Sequence, residues 1–417
     1  MAPHTGRRLL NISVILVSAV LAIGGTQIVF ANALVSGGSC DGSAWQTAWI
    51  TAPQESIIEF DDQTIRTVIT STVGGDAVRA TLSNRYGTEP VTFDDVHVAL
   101  ARSGAAVVAD TIQPLTFDGQ SAVTVPAGDE ITSDGADLEV APGDDVAISY
   151  HVDGPASLDR HLYAPRASYA TPTGSGAHGA DADADAFTQT MDSWYGLVAV
   201  DVEVPRAVGS IAVLGDSLSD GTGATFDAGT TWPDVLARSL DGDAAVLNAG
   251  IATNLVATEL IPLTDPGAAD LPRPAADRLA PDILARDGVT DLVVFIGLND
   301  VLMAVDPAPV AAVIGAYGRI LDEARDSGLR VIGVTLTPAS WDDPVREERR
   351  QAINTWIRTS DTFDEVVDFE GVVADPAAPT KLLPAFDSGD GIHLDDDGYA
   401  AIARAFGRQI SPSDPCT

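Results

Sequence analysis

Apolar and polar residues change rhythm once along the chain. From Trp45 to about Val204 they alternate over short runs, as in residues 64–71, 76–82 and 145–150, with Gly, Asp, Asn and Pro between them. A period of two with closely spaced turn signals predicts many short strands, hence an antiparallel β-sandwich or jelly roll. Long helical patterns are absent there. Residues 171–185, rich in Gly, Ala and Asp, predict an exposed mobile loop.

Past Pro205 the pattern becomes one of apolar runs alternating with helical periodicity. The runs at residues 211–214, 245–247, 292–296, 331–336 and 366–369 read as buried parallel strands. Helical patterns fall at 232–240, 275–286, 309–327 and 344–359, with a last helix after Asp397. The predicted fold class is α/β: a three-layer α/β/α parallel sheet in the flavodoxin-like order 2-1-3-4-5, preceded by an all-β sandwich or jelly-roll domain. The predicted division is 1–33 leader, 34–205 β domain and 206–417 catalytic domain.

Candidate chemistry sits where strands end. Gly215-Asp216-Ser217-Leu218-Ser219 closes the first buried run, so Ser217 stands at a strand's carboxyl end, where ligands bind in open parallel sheets. A serine hydroxyl needs a base and an oxyanion site to act as a nucleophile. Asp390 and His393, three apart, supply a carboxylate and an imidazole that one turn can align. Gly250 and Asn299 follow the second and third runs and offer donor types suited to an oxyanion. Taken singly, Ser217 could be a helix cap, Gly250 a tight turn, and Asn299 a turn residue.

These four blocks, in this order, resemble the SGNH (GDSL-type) esterase and acylhydrolase superfamily over roughly residues 207–410. The resemblance implies Ser217 as nucleophile, His393 as base, Asp390 as its orienting acid, and Ser217 N–H, Gly250 and Asn299 as oxyanion donors. The β region resembles the amino-terminal domain that some secreted actinobacterial members carry. The elbow Gly-x-Ser-x-Gly of another hydrolase fold fails here, because Ser219 occupies its second glycine.

Composition then narrows the setting. With 45% hydrophobic residues the chain has material for large cores, and a net charge of −37 argues against nucleic acid and anionic membranes as partners. Arg7 and Arg8 precede an apolar run over residues 9–30, followed by Ala31-Asn32-Ala33, the pattern of a cleaved secretory signal. An uncleaved anchor is the alternative reading. In an exported protein, Cys40 and Cys416 invite a disulfide that joins the ends of the mature chain; a lipid-modified Cys40 is the rival. No His, Cys or carboxylate cluster has metal-ligand spacing, and no cofactor is expected.

The expected function is therefore that of a secreted serine esterase that acts through an acyl-enzyme on a small-molecule, polysaccharide or lipid ester, with acetylated carbohydrate one candidate. A lysophospholipase-like lipid hydrolase, transfer of the acyl group to a sugar, and a non-catalytic carbohydrate-binding surface protein remain open. Trp45, Trp49, Trp194 and Tyr195 could stack on sugars or fill the core. His151 and His161 could face the catalytic mouth or serve as structural hydrogen-bonding residues.

Overall fold

The strand Gly209–Gly215 is buried along its whole length, as an apolar run covered on both faces must be. It lies between Ala244–Gly250 and Asp291–Phe295, followed outward by Arg330–Val334 and Glu365–Val367, with every pairing parallel. In sequence terms this is the order 2-1-3-4-5. The switch point falls beside Gly209–Gly215, so the loops after the first three strands meet at one end of the sheet. The computed structural model describes residues 40, 42–257, 272–302, 310–341 and 343–417. The expected leader, residues 1–33, lies outside them.

Helices follow local signals. Helix Trp232–Leu240 starts at Thr231, whose hydroxyl accepts the Asp234 N–H, carries Pro233 in its first turn, and stops at Asp241 in the left-handed region. It buries Trp232 against Phe295, Phe369 and Phe406, which ties it to the sheet and to helix Asp396–Gln409. Helix Pro344–Thr359 is capped by Asp343, which accepts from Val345 and Arg346 N–H.

Two expected elements differ. The helix predicted over 275–286 is α-helical only at Ala275–Leu279 and continues as one π turn, Ala280–Leu284. Pro281 lies in that turn and has no N–H to give to an α ladder. The run at 366–369 yields the strand Glu365–Val367, after which Asp368 caps a short helix, Phe369–Val373.

Ahead of the parallel sheet lie two antiparallel sheets. One orders Ala44–Ile50, Leu197–Val204, Gly75–Ser83 and Ala136–Val140; the other runs from Gln189–Met191 through Ser168–Ala170, Gln63–Thr70 and Asp145–Val152 to Val91–Ser103 and Ala106–Val107. Their inward residues, such as Val78, Ile148 and Val200, join one hydrophobic cluster with Ile211, Val246 and Val293 of the parallel sheet. Residues 34–417 form one compact unit. Polar contacts stitch the two kinds of sheet together: Gln46 Nε2 donates to Ser210 Oγ at 2.6 Å, and Arg79 reaches Asp287 at 2.5 Å. A disulfide joins Cys40 to Cys416. Among the described residues no helix is long and apolar enough to cross a membrane.

The stretch 171–185 is pinned. Arg66, fully buried, donates to Ala105 O at 2.6 Å, Gly179 O at 3.1 Å and Asp181 O at 2.8 Å, and Gly179 N–H donates to Asp95 at 2.6 Å. A loop whose backbone satisfies a buried guanidinium is fixed by it, a device that composition does not reveal. Trp194 and Tyr195 are buried. Trp194 packs edge-on against Trp49 and stacks on His161, so both belong to the core and present no open ring.

Candidate active site

Ser217 begins the short helix Ser217–Asp220 directly after the central strand. The turn is tight: a Cβ on Gly215 would lie 2.3 Å from Ser219 Oγ, so only glycine lets the chain reverse there. Asp216 caps the helix and accepts the Leu218 N–H at 3.0 Å. Burial pushes the Asp216 carboxyl up to about 7, with the neighbouring acids Asp300 and Asp220 adding to the shift. Ser217 itself is 9% exposed.

The loop 387–394 brings the other groups. Asp387 accepts the N–H of Gly389 and of Gly391, and Gly391, at φ 76°, lies so close to Ser340 that an added Cβ would stand 2.6 Å from the serine's own. Asp390 Oδ1 accepts the N–H of Ile392 and of His393, both at 2.8 Å, while Oδ2 lies 2.6 Å from His393 Nδ1. His393 Nε2 is 2.9 Å from Ser217 Oγ. An ionised carboxylate only accepts, so Nδ1 carries the ring proton and Nε2 turns a lone pair toward the serine O–H. Burial works against the Asp390 charge, but the hydrogen bonds from His393 and from the two backbone N–H groups hold its carboxyl below the usual range.

The three expected oxyanion donors are placed unequally. No acceptor among the described residues takes the Ser217 N–H. Asn299 Nδ2 spends one N–H on Asn254 O at 3.1 Å and keeps a second. The Gly250 N–H donates to Asn248 Oδ1 at 2.9 Å. What demands glycine at 250 is packing, since a Cβ would lie 2.5 Å from Asp220 N and block the helix Ser217–Asp220. Three residues on, Thr253 sits at φ 67°, costly for a β-branched residue, and no acceptor among the described residues takes its N–H. Sequence reading missed Thr253, because threonine carries no mark of a left-handed position.

It also missed a buried charge under these loops. Arg278 is 1% exposed and donates to Gly215 O and Ala249 O, the carbonyls just before the Ser217 turn and before Gly250. His161, in the β region, which the sequence offered either for the catalytic mouth or as a structural residue, lies 2.9 Å from Asp220, at the end of helix Ser217–Asp220; both are 3% exposed. Burial opposes the His161 charge, but the Asp220 carboxylate outweighs it and raises its pKa. His151 lies between Asp94 and Asp62 in the β region. Among the described residues no group of three or more His, Cys, Asp or Glu is placed to hold a metal ion.

With this geometry in view, residues 213–401 match the model of the GDSL-like lipase/acylhydrolase family. That stretch is a GDSL-type acylhydrolase domain. Solved structures are similar to this chain over about half its length. A carbohydrate acetylesterase family member from Sinorhizobium meliloti is 20% identical, over 48% of this chain and 97% of its own, with a TM-score of 0.38. An inhibitor-bound aryl esterase from M. smegmatis is 19% identical, over 48% of this chain and 98% of its own, with a TM-score of 0.37. No curated protein matches the chain. The GDSL-type domain begins inside the strand that carries Ser217 and ends inside helix Asp396–Gln409, just past His393, so it contains every group of the constellation. Its chemistry is that of a carboxylic ester hydrolase.

Proposed function

We propose that the chain is an exported serine esterase that works through an acyl-enzyme, with Ser217 as nucleophile, His393 as general base and acid, and Asp390 orienting the imidazole. The observation that carries this reading is the continuous line Asp390 Oδ2, His393 Nδ1, His393 Nε2, Ser217 Oγ, with separations of 2.6 Å and 2.9 Å. His393 takes the Ser217 proton as Oγ bonds to the ester carbonyl carbon. The oxyanion meets the Ser217 N–H and the spare Asn299 N–H, with Gly250 or the uncommitted Thr253 N–H as third donor. The intermediate collapses, the C–O bond to the alcohol breaks, and the alcohol leaves with the proton from His393. Water, deprotonated by His393, then cleaves the acyl-Ser217 ester, and the proton returns to Ser217. None of these steps calls on a cofactor.

Export is read from the apolar leader ending at Ala33 and from a disulfide, which fits an extracellular protein. The catalytic sheet with its helices is read as a three-layer sandwich over residues 206–417, and residues 34–205 as a separate β domain. Acetylated polysaccharide is the proposed substrate class: export and an added β domain support it, and the strong negative charge disfavours anionic lipid surfaces. The test compares acetate release from acetylated glycans with fatty-acid release from a lysophospholipid. Faster turnover per site on the glycan supports the reading, and faster turnover on the lipid overturns it.

A further inference from the structure

Arg278, 1% exposed, lies beneath the site, and each of its three nitrogens donates toward a loop of it. Nη2 donates to Gly215 O at 3.0 Å, Nη1 to Ala249 O at 2.7 Å, and Nε to Asn254 Oδ1 at 2.9 Å. Gly215 and Ala249 lie at the ends of adjacent parallel strands, and the two Nη groups of one planar guanidinium serve both carbonyls while Nε serves Asn254, a rigid three-way fork that an ammonium does not reproduce. Gly215 leads into Ser217, and Ala249 leads into Gly250 and Thr253. Asn254, the third partner, accepts the Asn299 side chain on its own carbonyl at 3.1 Å. Next to Asn299, Asp300 takes the N–H groups of Val256 at 2.8 Å and Ala257 at 3.0 Å, closing the same loop from the other side. Every proposed oxyanion donor thus lies within two residues of an Arg278 partner or, for Asn299, bonds to one.

The charge of Arg278 is balanced by Asp282, which the β region holds in turn. Nη1 also reaches Asp282 Oδ2 at 3.1 Å, in the π turn that follows. Asp282, 1% exposed, holds Arg85 of the β region on its other oxygen at 2.5 Å, and Arg85 in turn pairs with Glu130. Arg85 also donates to Pro281 O at 3.1 Å. A buried guanidinium is costly unless its partners are complete, so Arg278 holds its pose only while Asp282 does.

We propose that Arg278 is a positioning residue for ester hydrolysis: it fixes the nucleophile turn, the loop after Gly250 and the Asn299 amide in one frame, and Arg85 of the β region steadies it through Asp282. This rests on the esterase reading above. It makes the β region part of the catalytic frame as well as an appended module, because the chain Glu130, Arg85, Asp282, Arg278 runs from one to the other.

The test is Arg278→Lys in the purified full protein, with p-nitrophenyl acetate as substrate and with a fluorophosphonate, which labels a competent Ser217, to count active sites. Expected is a kcat per labelled site lowered about 10-fold to 100-fold with KM changed by less than about 3-fold, because donors set out of place lose the transition state and not the ester. A trifluoromethyl ketone, which forms an oxyanion on the serine, should bind more weakly by the same factor. In an Asn299→Ala background the Lys substitution should cost less, since the part of its effect that runs through the Asn299 amide is already gone. A kcat per labelled site equal to the parent's, or full additivity with Asn299→Ala, overturns the proposal. If Arg278→Lys does not fold, Asn254→Ser removes the Nε acceptor, together with the amide's bond to Arg273 O, and leaves the backbone carbonyl that holds Asn299; an unchanged kcat and ketone affinity there are equally decisive against it. A parent protein that neither labels nor turns over would instead sink the esterase reading itself.

Discussion

His393 Nε2 lies 2.9 Å from Ser217 Oγ although the two residues stand 176 positions apart. The imidazole is aimed by Asp390, whose second oxygen is occupied by two backbone N–H groups, so the carboxylate cannot swing away. Asp390→Asn keeps the shape but presents an N–H to Nδ1, which favours the tautomer with the proton on Nε2. We expect kcat to fall by up to about 10⁴-fold, measured on p-nitrophenyl acetate at neutral pH. A loss smaller than about 10-fold would remove Asp390 from the proposed triad.

Asn299 has one amide N–H tied to Asn254 O and one to spare. Asn299→Ala should lower kcat on the order of 100-fold to 1000-fold and leave KM nearly unchanged, because the lost bond forms only as charge develops. Near-normal turnover would show that the backbone N–H groups of Ser217 and of Gly250 or Thr253 suffice.

Asp216 carries a pH signature. Its folded pKa, about 7, lies above the value near 3.8 of an unburied aspartate, with burial the main cause. A raised pKa contributes stability in full below the unfolded pKa, and that contribution is lost as pH rises through the folded one. Between about pH 4 and pH 7 the parent protein should therefore lose up to a few kcal/mol relative to Asp216→Asn, which stays neutral and can still accept the Leu218 N–H. Melting curves of both proteins at pH 5 and pH 8 check this. A gap between their Tm values that does not move toward the variant at pH 8 would refute it.

The Cys40–Cys416 bond closes a loop with a sequence separation of 376. Closing so long a loop restricts the unfolded chain, and losing it is expected to cost about 2 to 5 kcal/mol. Cys40→Ser should lower Tm and leave turnover at 25 °C unchanged, since the bond is remote in sequence from Ser217 and His393. An unaltered Tm would mean that the clasp contributes nothing.

Much of this was legible in the chain itself. Buried runs gave the five parallel strands because parallel strands are apolar on both sides, and the helix at 344–359 could be placed from Asp343, Pro344 and its period. Ser217 and Asn299 stood out at strand ends and Asp390 and His393 by their spacing of three, and the structure places Asp390, His393 and Ser217 in one hydrogen-bonded line. Arg278 did not stand out, since its role comes from partners 63 and 29 positions away across the fold, and periodicity does not register such pairs. Gly250 shows the ambiguity of glycine: its close approach to Asp220 explains it as well as a donor role does. Pro281, read as one more helical position, marks the π turn that sets Asp282 against Arg278.

The most direct test is hydrolysis of p-nitrophenyl acetate by the purified protein beside Ser217→Ala. The account expects clear turnover in the parent and a loss of at least about 10³-fold in the variant, with its melting curve unchanged. Equal turnover in the two proteins would contradict Ser217 as the nucleophile, and with it the reading of the site.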